Sequence, residues 1–298
     1  MLKYAGRDEM EEDIKSFLDY LASEKKYSKN TLAAYHNDLS QLADYVKSER
    51  SASGSGFSGS GLNAELLSGY LYSLRSRKYT PSTVARKIAA AKSFLKFMVE
   101  RGKLRGDLTP NLASPQVNKS LPKPLSVPEV RRLLAEPAKL STIDAKRDKS
   151  MLELLYGTGL RASELMALNI RDIDLKKNVV RCLGTGSKLR VVPIDPPVAR
   201  LIKEYIDVVR PDLLNDEKEV ALFLNLRGER LTRQGFWQIV QGYADKVGLS
   251  GKVTPRSLRH SFAAHKLKGG ADLQSVQELL GHAHISTTRA YTQVELRP

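Results

Sequence analysis

Thr109-Pro-Asn-Leu-Ala-Ser-Pro115-Gln-Val-Asn-Lys-Ser-Leu-Pro122-Lys-Pro124 is the stretch that divides this chain. Proline fixes its own φ and carries no amide hydrogen, so four prolines in so short a run favour a stiff, extended connector over a packed element. On its N-terminal side every apolar pattern has helical spacing. Ile14, Phe17, Leu18 and Leu21 follow i, i+3, i+4, i+7, as do Leu32, Tyr35, Leu39 and Leu42. Leu66, Leu67, Tyr70, Leu71 and Leu74 make a third face. Val84, Ile88, Ala91, Leu95 and Met98 make a fourth, with Pro81 near its start, where a missing N–H is tolerated. Between the second and third faces, Ser51 to Gly61 is built from Ser, Gly and Ala around one Phe and reads as a flexible surface loop.

On the C-terminal side the pattern is mixed. Ser126-Val-Pro-Glu129 is a capping box that opens a helix. Further on, Val179–Leu183 and Arg190–Ile194 read as a β-hairpin joined across Gly184-Thr-Gly-Ser-Lys188. The expected fold is therefore mainly α with a small β-hairpin or sheet (α+β). It comprises a helical N-terminal domain over 1–108, a linker over 109–125 and an α+β domain over 126–298.

Composition narrows the function classes. The 298 residues carry 48 Lys+Arg against 33 Asp+Glu, a net charge of +15, and both halves are basic. Such an excess suits a polyanion, because Lys and Arg release the counterions condensed on nucleic acid; a basic metabolic enzyme would look the same. The single cysteine, Cys182, excludes an internal disulfide and a Cys-rich zinc module. The N-terminus turns acidic without an apolar core, and no run approaches the ~18 apolar residues of a membrane span, so a cytoplasmic protein is expected. No phosphate-loop motif is present. Four of the five histidines lie between His260 and His284, but neither an acidic cluster nor His-Glu-x-x-His spacing accompanies them, so no metal is assigned.

Four segments are candidates for chemistry. In Tyr156-Gly-Thr-Gly-Leu-Arg161-Ala-Ser-Glu164-Leu a helix is expected to end at Gly157 and another to begin near Arg161, setting a guanidinium at a helix start, where a phosphate is favoured. A surface pair of Arg161 with Glu164 at i+3 is the plainer alternative. Lys188 stands at the hairpin tip. In Thr254-Pro-Arg256-Ser-Leu-Arg259-His260-Ser-Phe-Ala-Ala-His265, Arg256 and Arg259 share a helical face, from which both could hold one phosphodiester. Finally, in Leu279-Leu-Gly281-His282-Ala-His-Ile-Ser286-Thr-Thr-Arg-Ala-Tyr291 a helix stops at Gly281, His282 marks its exit, and Ser286 is expected to cap a short last helix carrying Tyr291.

Taken together, these segments resemble the tyrosine recombinase (phage-integrase) family, and most closely its bacterial Xer-type members. The resemblance runs along nearly the whole chain and implies a helical DNA core-binding domain followed by a catalytic domain. It implies strand exchange at a double-stranded DNA recombination site by a homo- or hetero-tetramer, without cofactor or metal. It also implies roles. Tyr291 is the nucleophile that forms a 3′-phosphotyrosine; Arg161 and Arg259 bind the non-bridging oxygens; Lys188 protonates the departing 5′-oxygen; and His282 hydrogen-bonds the phosphate.

Two departures stand out. Arg256 occupies the position where the family most often has histidine. Arginine cannot serve as a base at neutral pH, so the expectation is that Arg256 adds positive charge and lowers the effective pKa of Tyr291 without taking its proton. His260 is not counted as a replacement, since Leu258-Arg259-His260 keeps the family register. Seven residues follow Tyr291, too few for the further helix with which Xer-type proteins dock on a neighbouring protomer. A catalytically impaired, architectural DNA-binding protein of the same fold is the alternative these departures leave open, beside a relaxing topoisomerase of the same chemistry.

Overall fold

The computed structural model describes residues 7–52, 62–116, 123–184 and 189–292. Lys188, most of the Ser51–Gly61 segment, the hairpin tip after Gly184, the middle of the proline-rich stretch and the chain after Thr292 lie outside the described residues. The chain forms two compact units, Met1–Lys119 and Ser120–Pro298.

The first unit is built from α1 (Arg7–Ser23), α2 (Lys29–Ala52), α3 (Ala64–Ser76) and α4 (Pro81–Glu100). Each buries the face its apolar spacing marks out: Ile14, Phe17 and Leu21 from α1, Leu39 and Leu42 from α2, Leu67, Tyr70 and Leu74 from α3, Ile88, Ala91, Leu95 and Met98 from α4. Phe17 is the aromatic centre, with its ring 5.6 Å from Phe94 and 5.3 Å from Phe97. Asn63 and Thr80 cap α3 and α4, and Pro81 takes the first helical position. Within this core the buried Lys87 reaches Asp38 at 3.0 Å and Gln41 at 2.7 Å, and Arg86 also bonds Asp38. Ser51 and Ala52 belong to α2 instead of the expected loop. Thr109–Asn111 forms one 3₁₀ turn and Leu112 is fully buried in this core, so the proline-rich stretch begins packed, not extended.

The second unit starts with α5 (Val127–Ala135). Its capping box is formed, with the Ser126 hydroxyl accepting from the Glu129 amide and the Glu129 carboxylate accepting from the Ser126 amide at 2.8 Å. α6 (Ile143–Thr158) runs through the core with Met151, Leu152, Leu154 and Leu155 fully buried. After α7 (Ala162–Ala167) come β1 (Ile173–Asp174), β2 (Val179–Leu183) and β3 (Leu189–Pro193), an antiparallel sheet in the order β1-β2-β3 with Val180 opposite Val192. The sheet has one strand more than the expected hairpin. α8 (Pro196–Glu204) passes through a π turn into α9 (Arg210–Leu213), and α10 (Arg233–Lys246), α11 (Pro255–Lys268), α12 (Leu273–Leu280) and α13 (Ile285–Arg289) complete the unit. Among the described residues no helix is long and apolar enough to cross a membrane.

Candidate active site

The site is assembled from two helix ends. α6 runs through Gly157 and stops at Gly159, not at Gly157 as the glycine spacing suggested. Gly159 is the residue in the left-handed region (φ 62°), and a Cβ there would fall 2.3 Å from the Phe262 ring. α12 stops at Gly281 (φ 63°), where a Cβ would press on Arg190 at 3.1 Å. A helix leaves its last carbonyls without intrahelical partners, and here these two ends offer theirs to guanidiniums.

Three successive carbonyls closing α12 each accept from a different arginine. Leu279 O takes Arg190 Nε–H at 3.0 Å, Leu280 O takes Arg259 Nη2–H at 2.6 Å, and Gly281 O takes Arg161 Nη2–H at 3.0 Å. Gly159 O takes the other arm of Arg259 at 2.6 Å. Between the guanidiniums stands one carboxylate, Glu164 on α7, buried at 7 % exposure. It accepts from Arg190 twice (2.7 and 2.8 Å), from Arg161 Nη1 at 2.7 Å and from the Arg161 amide at 2.7 Å; Arg259 lies 3.8 Å away. Burial alone raises the Glu164 pKa, but the hydrogen bonds from Arg190 and Arg161 outweigh it and hold it at about 2. Burial, with Arg161 alongside, brings Arg259 down to about 10. Three guanidiniums against one carboxylate leave an excess of positive charge where α6, α7, β3 and α12 meet, a setting for a phosphodiester.

α11 delivers Arg259. Thr254 caps it, accepting from the Ser257 amide at 2.9 Å, and Pro255 opens it. Arg259 lies on the buried face and Arg256 is exposed, so their guanidiniums have different surroundings. Arg256 turns along the helix instead and donates Nε–H to His260 Nε2 at 3.1 Å.

Tyr291 is buried at 5 % exposure just beyond α13, its amide bonded to Thr288 O at 3.0 Å. α13 is capped by His284, with Ser286 inside the helix and not at its cap. The Tyr291 hydroxyl lies 2.6 Å from His260 Nδ1, and its ring stacks on His282 with centroids 6.3 Å apart. His282 Nε2 accepts from Arg259 at 3.1 Å, and its Nδ1 is 2.9 Å from the Thr288 hydroxyl. With Nε2 occupied by a guanidinium donor, a neutral His282 places its proton on Nδ1, toward Thr288. Presenting an N–H to a phosphate therefore needs the other tautomer, which the Thr288 hydroxyl can support because it both donates and accepts. Burial and the neighbouring Arg259 push His282 down to about 4. Burial raises the Tyr291 pKa, and Arg259, Arg256 and Arg161 pull against it without reversing the direction. The Arg256 charge opposes burial here, and burial is the larger effect.

Arg161, Arg259, His282 and Tyr291 come together; Arg256 reaches the group through His260. The sequence reading missed Arg190, set His260 aside, and offered Glu164 only as a surface partner of Arg161; that pair forms, but Glu164 is buried. Their signals were present: Glu164 is i+3 from Arg161, Arg190 shares the inward side of β3 with buried Val192, and His260 is i+4 from Arg256. Of the clustered histidines, His260 and His282 lie against Tyr291. His265 bonds Tyr156 at 2.8 Å, and among the described residues no three His, Cys, Asp or Glu side chains gather.

The model of the "Phage integrase family" matches residues 123–297, and that of "Phage integrase, N-terminal SAM-like domain" matches residues 14–102. "Tyrosine recombinase XerC" of Roseiflexus castenholzii is 46% identical over 287 residues, covering 96% of this chain and 90% of its own length. "Tyrosine recombinase XerD" of Oceanobacillus iheyensis is 40% identical over 295 residues, covering 99% and 95%. Among solved structures, the XerH site-specific recombinase bound to difH substrate in a pre-cleavage complex superposes with a TM-score of 0.74 at 22% identity, covering 97% of this chain and 93% of that one. At that identity the likeness is one of fold.

Proposed function

The chain belongs to the phage integrase family, and from that membership we propose that it cuts and rejoins DNA at a defined site through a 3′-phosphotyrosyl intermediate on Tyr291. It is a site-specific DNA recombinase of the tyrosine type; the architectural, cleavage-deficient alternative is not favoured by relatives named for that activity at 46% and 40% identity along nearly the full chain. The observation that carries the assignment of residues is the Tyr291 phenol, stacked on His282 beside Arg259 and hydrogen-bonded to His260.

In this reading Tyr291 Oη attacks the scissile phosphorus and the P–O5′ bond breaks, leaving a 3′-phosphotyrosine and a 5′-hydroxyl. One phosphoester replaces another, so the 5′-hydroxyl of a partner strand can reverse the step without an outside energy source. Arg161 and Arg259 hold the non-bridging oxygens. Both are pre-positioned by backbone carbonyls and Glu164, so little reorganisation is needed when the phosphorane forms. Lys188 supplies the proton to the 5′-oxygen, and His282 adds a donor to the phosphate once the Arg259 hydrogen now on its Nε2 turns to a phosphate oxygen and the imidazole proton moves to Nε2. We place this chemistry on two synapsed double-stranded DNA sites held by a homo- or hetero-tetramer in the cytoplasm. The role is chromosome or plasmid dimer resolution, or mobile-element integration.

The test is to trap the adduct. Purified protein is incubated with fragmented genomic DNA of its source organism and quenched with detergent, and the attached strand is sequenced. The expected product is a strand joined through its 3′ end to Tyr291, with the opposite fragment phosphorylated by kinase without prior phosphatase. An adduct that survives Tyr291→Phe, or that carries a 5′ linkage, refutes the assignment.

A further inference from the structure

Three side chains form a hydrogen-bonded line whose polarity is set at one end. Arg256 Nε–H points at His260 Nε2 from 3.1 Å, and His260 Nδ1 lies 2.6 Å from the Tyr291 hydroxyl. A guanidinium only donates, and a neutral imidazole has one N–H and one lone pair. If Nε2 receives the Arg256 hydrogen, the imidazole proton has to be on Nδ1. The reverse tautomer would set Nε2–H against Nε–H of Arg256, donor facing donor.

We propose that Arg256 locks His260 in its Nδ1–H tautomer, so that His260 donates a hydrogen bond to the Tyr291 oxygen and stabilises the phenolate without receiving the phenol proton. The proposal rests on the reading of Tyr291 as nucleophile. It makes His260 a catalytic residue, since it touches the reacting oxygen, and Arg256 a positioning residue that acts through it. When Oη bonds to phosphorus, its proton leaves to water or to a phosphate oxygen of the bound DNA, and the imidazole keeps the proton it started with.

The surroundings agree. From its own helix His260 faces Arg256 and Arg259; Tyr291 and the neutral His282 face it from the segment after α12. Farther off, Arg161, Arg190 and Glu164 form the charge cluster. Burial, then Arg256, then Arg259 push the imidazole down to about 4, so a proton placed there would not be retained at neutral pH. A donor, in contrast, has only to remain neutral.

The full chain, labelled with ¹⁵N-histidine and studied without DNA at pH 7, tests the tautomer directly by long-range ¹H–¹⁵N correlation. The expected spectrum shows His260 Nδ1 protonated and Nε2 bare. Arg256 is exposed, so Arg256→Met should fold, and it is expected to shift the tautomer toward Nε2–H, while Arg256→Lys, which still donates, keeps it on Nδ1. A bare Nδ1 in the unaltered protein, or a tautomer indifferent to Arg256→Met, overturns the proposal. The catalytic half is read from single-turnover adduct formation on a nicked duplex carrying the sequence recovered by trapping. His260→Phe is expected to lose about 100-fold, the usual effect of removing one donor to a developing oxyanion. His260→Asn is expected to recover about tenfold or more of that loss, because its amide N–H reaches the Nδ1 position yet cannot take up a proton at neutral pH. Equal loss in Phe and Asn variants refutes donation. If the unaltered protein forms no adduct, the reading of function fails instead, and the tautomer result stands apart from it.

Discussion

Replacing Glu164 by glutamine keeps the shape of the side chain and removes the one negative charge among Arg161, Arg190 and Arg259. The structure sets the magnitude in two ways. Breaking a buried ion pair by neutralising one partner costs about 3–5 kcal/mol, because the stranded charge cannot rehydrate. Independently, a fall in the carboxyl pKa from 4.5 to about 2 corresponds to roughly 3 kcal/mol of native-state stabilisation. Its folded pKa lies below its unfolded value, so this contribution is complete above about pH 4.5 and disappears as pH falls toward 2. The assay is urea unfolding of the full chain, followed by fluorescence of its one tryptophan, Trp237, which sits on α10 of the second unit. Glu164→Gln is expected to lose about 3 kcal/mol at pH 7, with the gap between the two proteins closing as the pH is lowered from 4.5 to 2. A loss under about 1 kcal/mol at pH 7, or a gap that does not change with pH, would refute the claim that this carboxylate holds the arginines in place.

Asp38→Ala should destabilise the first unit by about 3–5 kcal/mol by leaving Lys87 buried without its carboxylate, seen as faster amide exchange in α2 and α4 with α6 and α11 unaffected. Gly159→Ala puts a Cβ at a left-handed position and against Phe262; the backbone alone costs about 1–2 kcal/mol, so a lowered urea midpoint is expected, and an unchanged one would count against the tight turn. Arg259→Lys cannot span Gly159 O, Leu280 O and His282 Nε2 at once, and adduct formation should drop by about 100-fold or more while binding of the uncut duplex changes far less. DNA affinity should fall steeply and linearly on a log–log plot against salt, as filter binding between 50 and 200 mM salt would report for an interface built on phosphate contacts.

What the chain announces locally, the fold honours. The helical faces of the first unit, the Ser126–Glu129 capping box and the Gly281 helix stop depend on residues three or four positions apart, and such spacing is a property of the polypeptide itself. The family motifs likewise carry Arg161, Arg259, His282 and Tyr291 in the sequence alone. Tertiary packing decided the rest. Gly157 and Gly159 are indistinguishable as letters, and it is the second that takes the left-handed φ, with the Phe262 ring, from a helix a hundred positions later, packed where a Cβ would lie. Arg256 and Arg259 look alike on a helical wheel, but the carbonyls of Gly159 and Leu280 capture one and leave the other to His260. His260 stands one place out of the expected register along the chain yet 2.6 Å from the Tyr291 hydroxyl in space. Register counts bonds along one helix, whereas the partner of a nucleophile is chosen by how that helix is rolled against its neighbours, and that angle is set by the whole core at once.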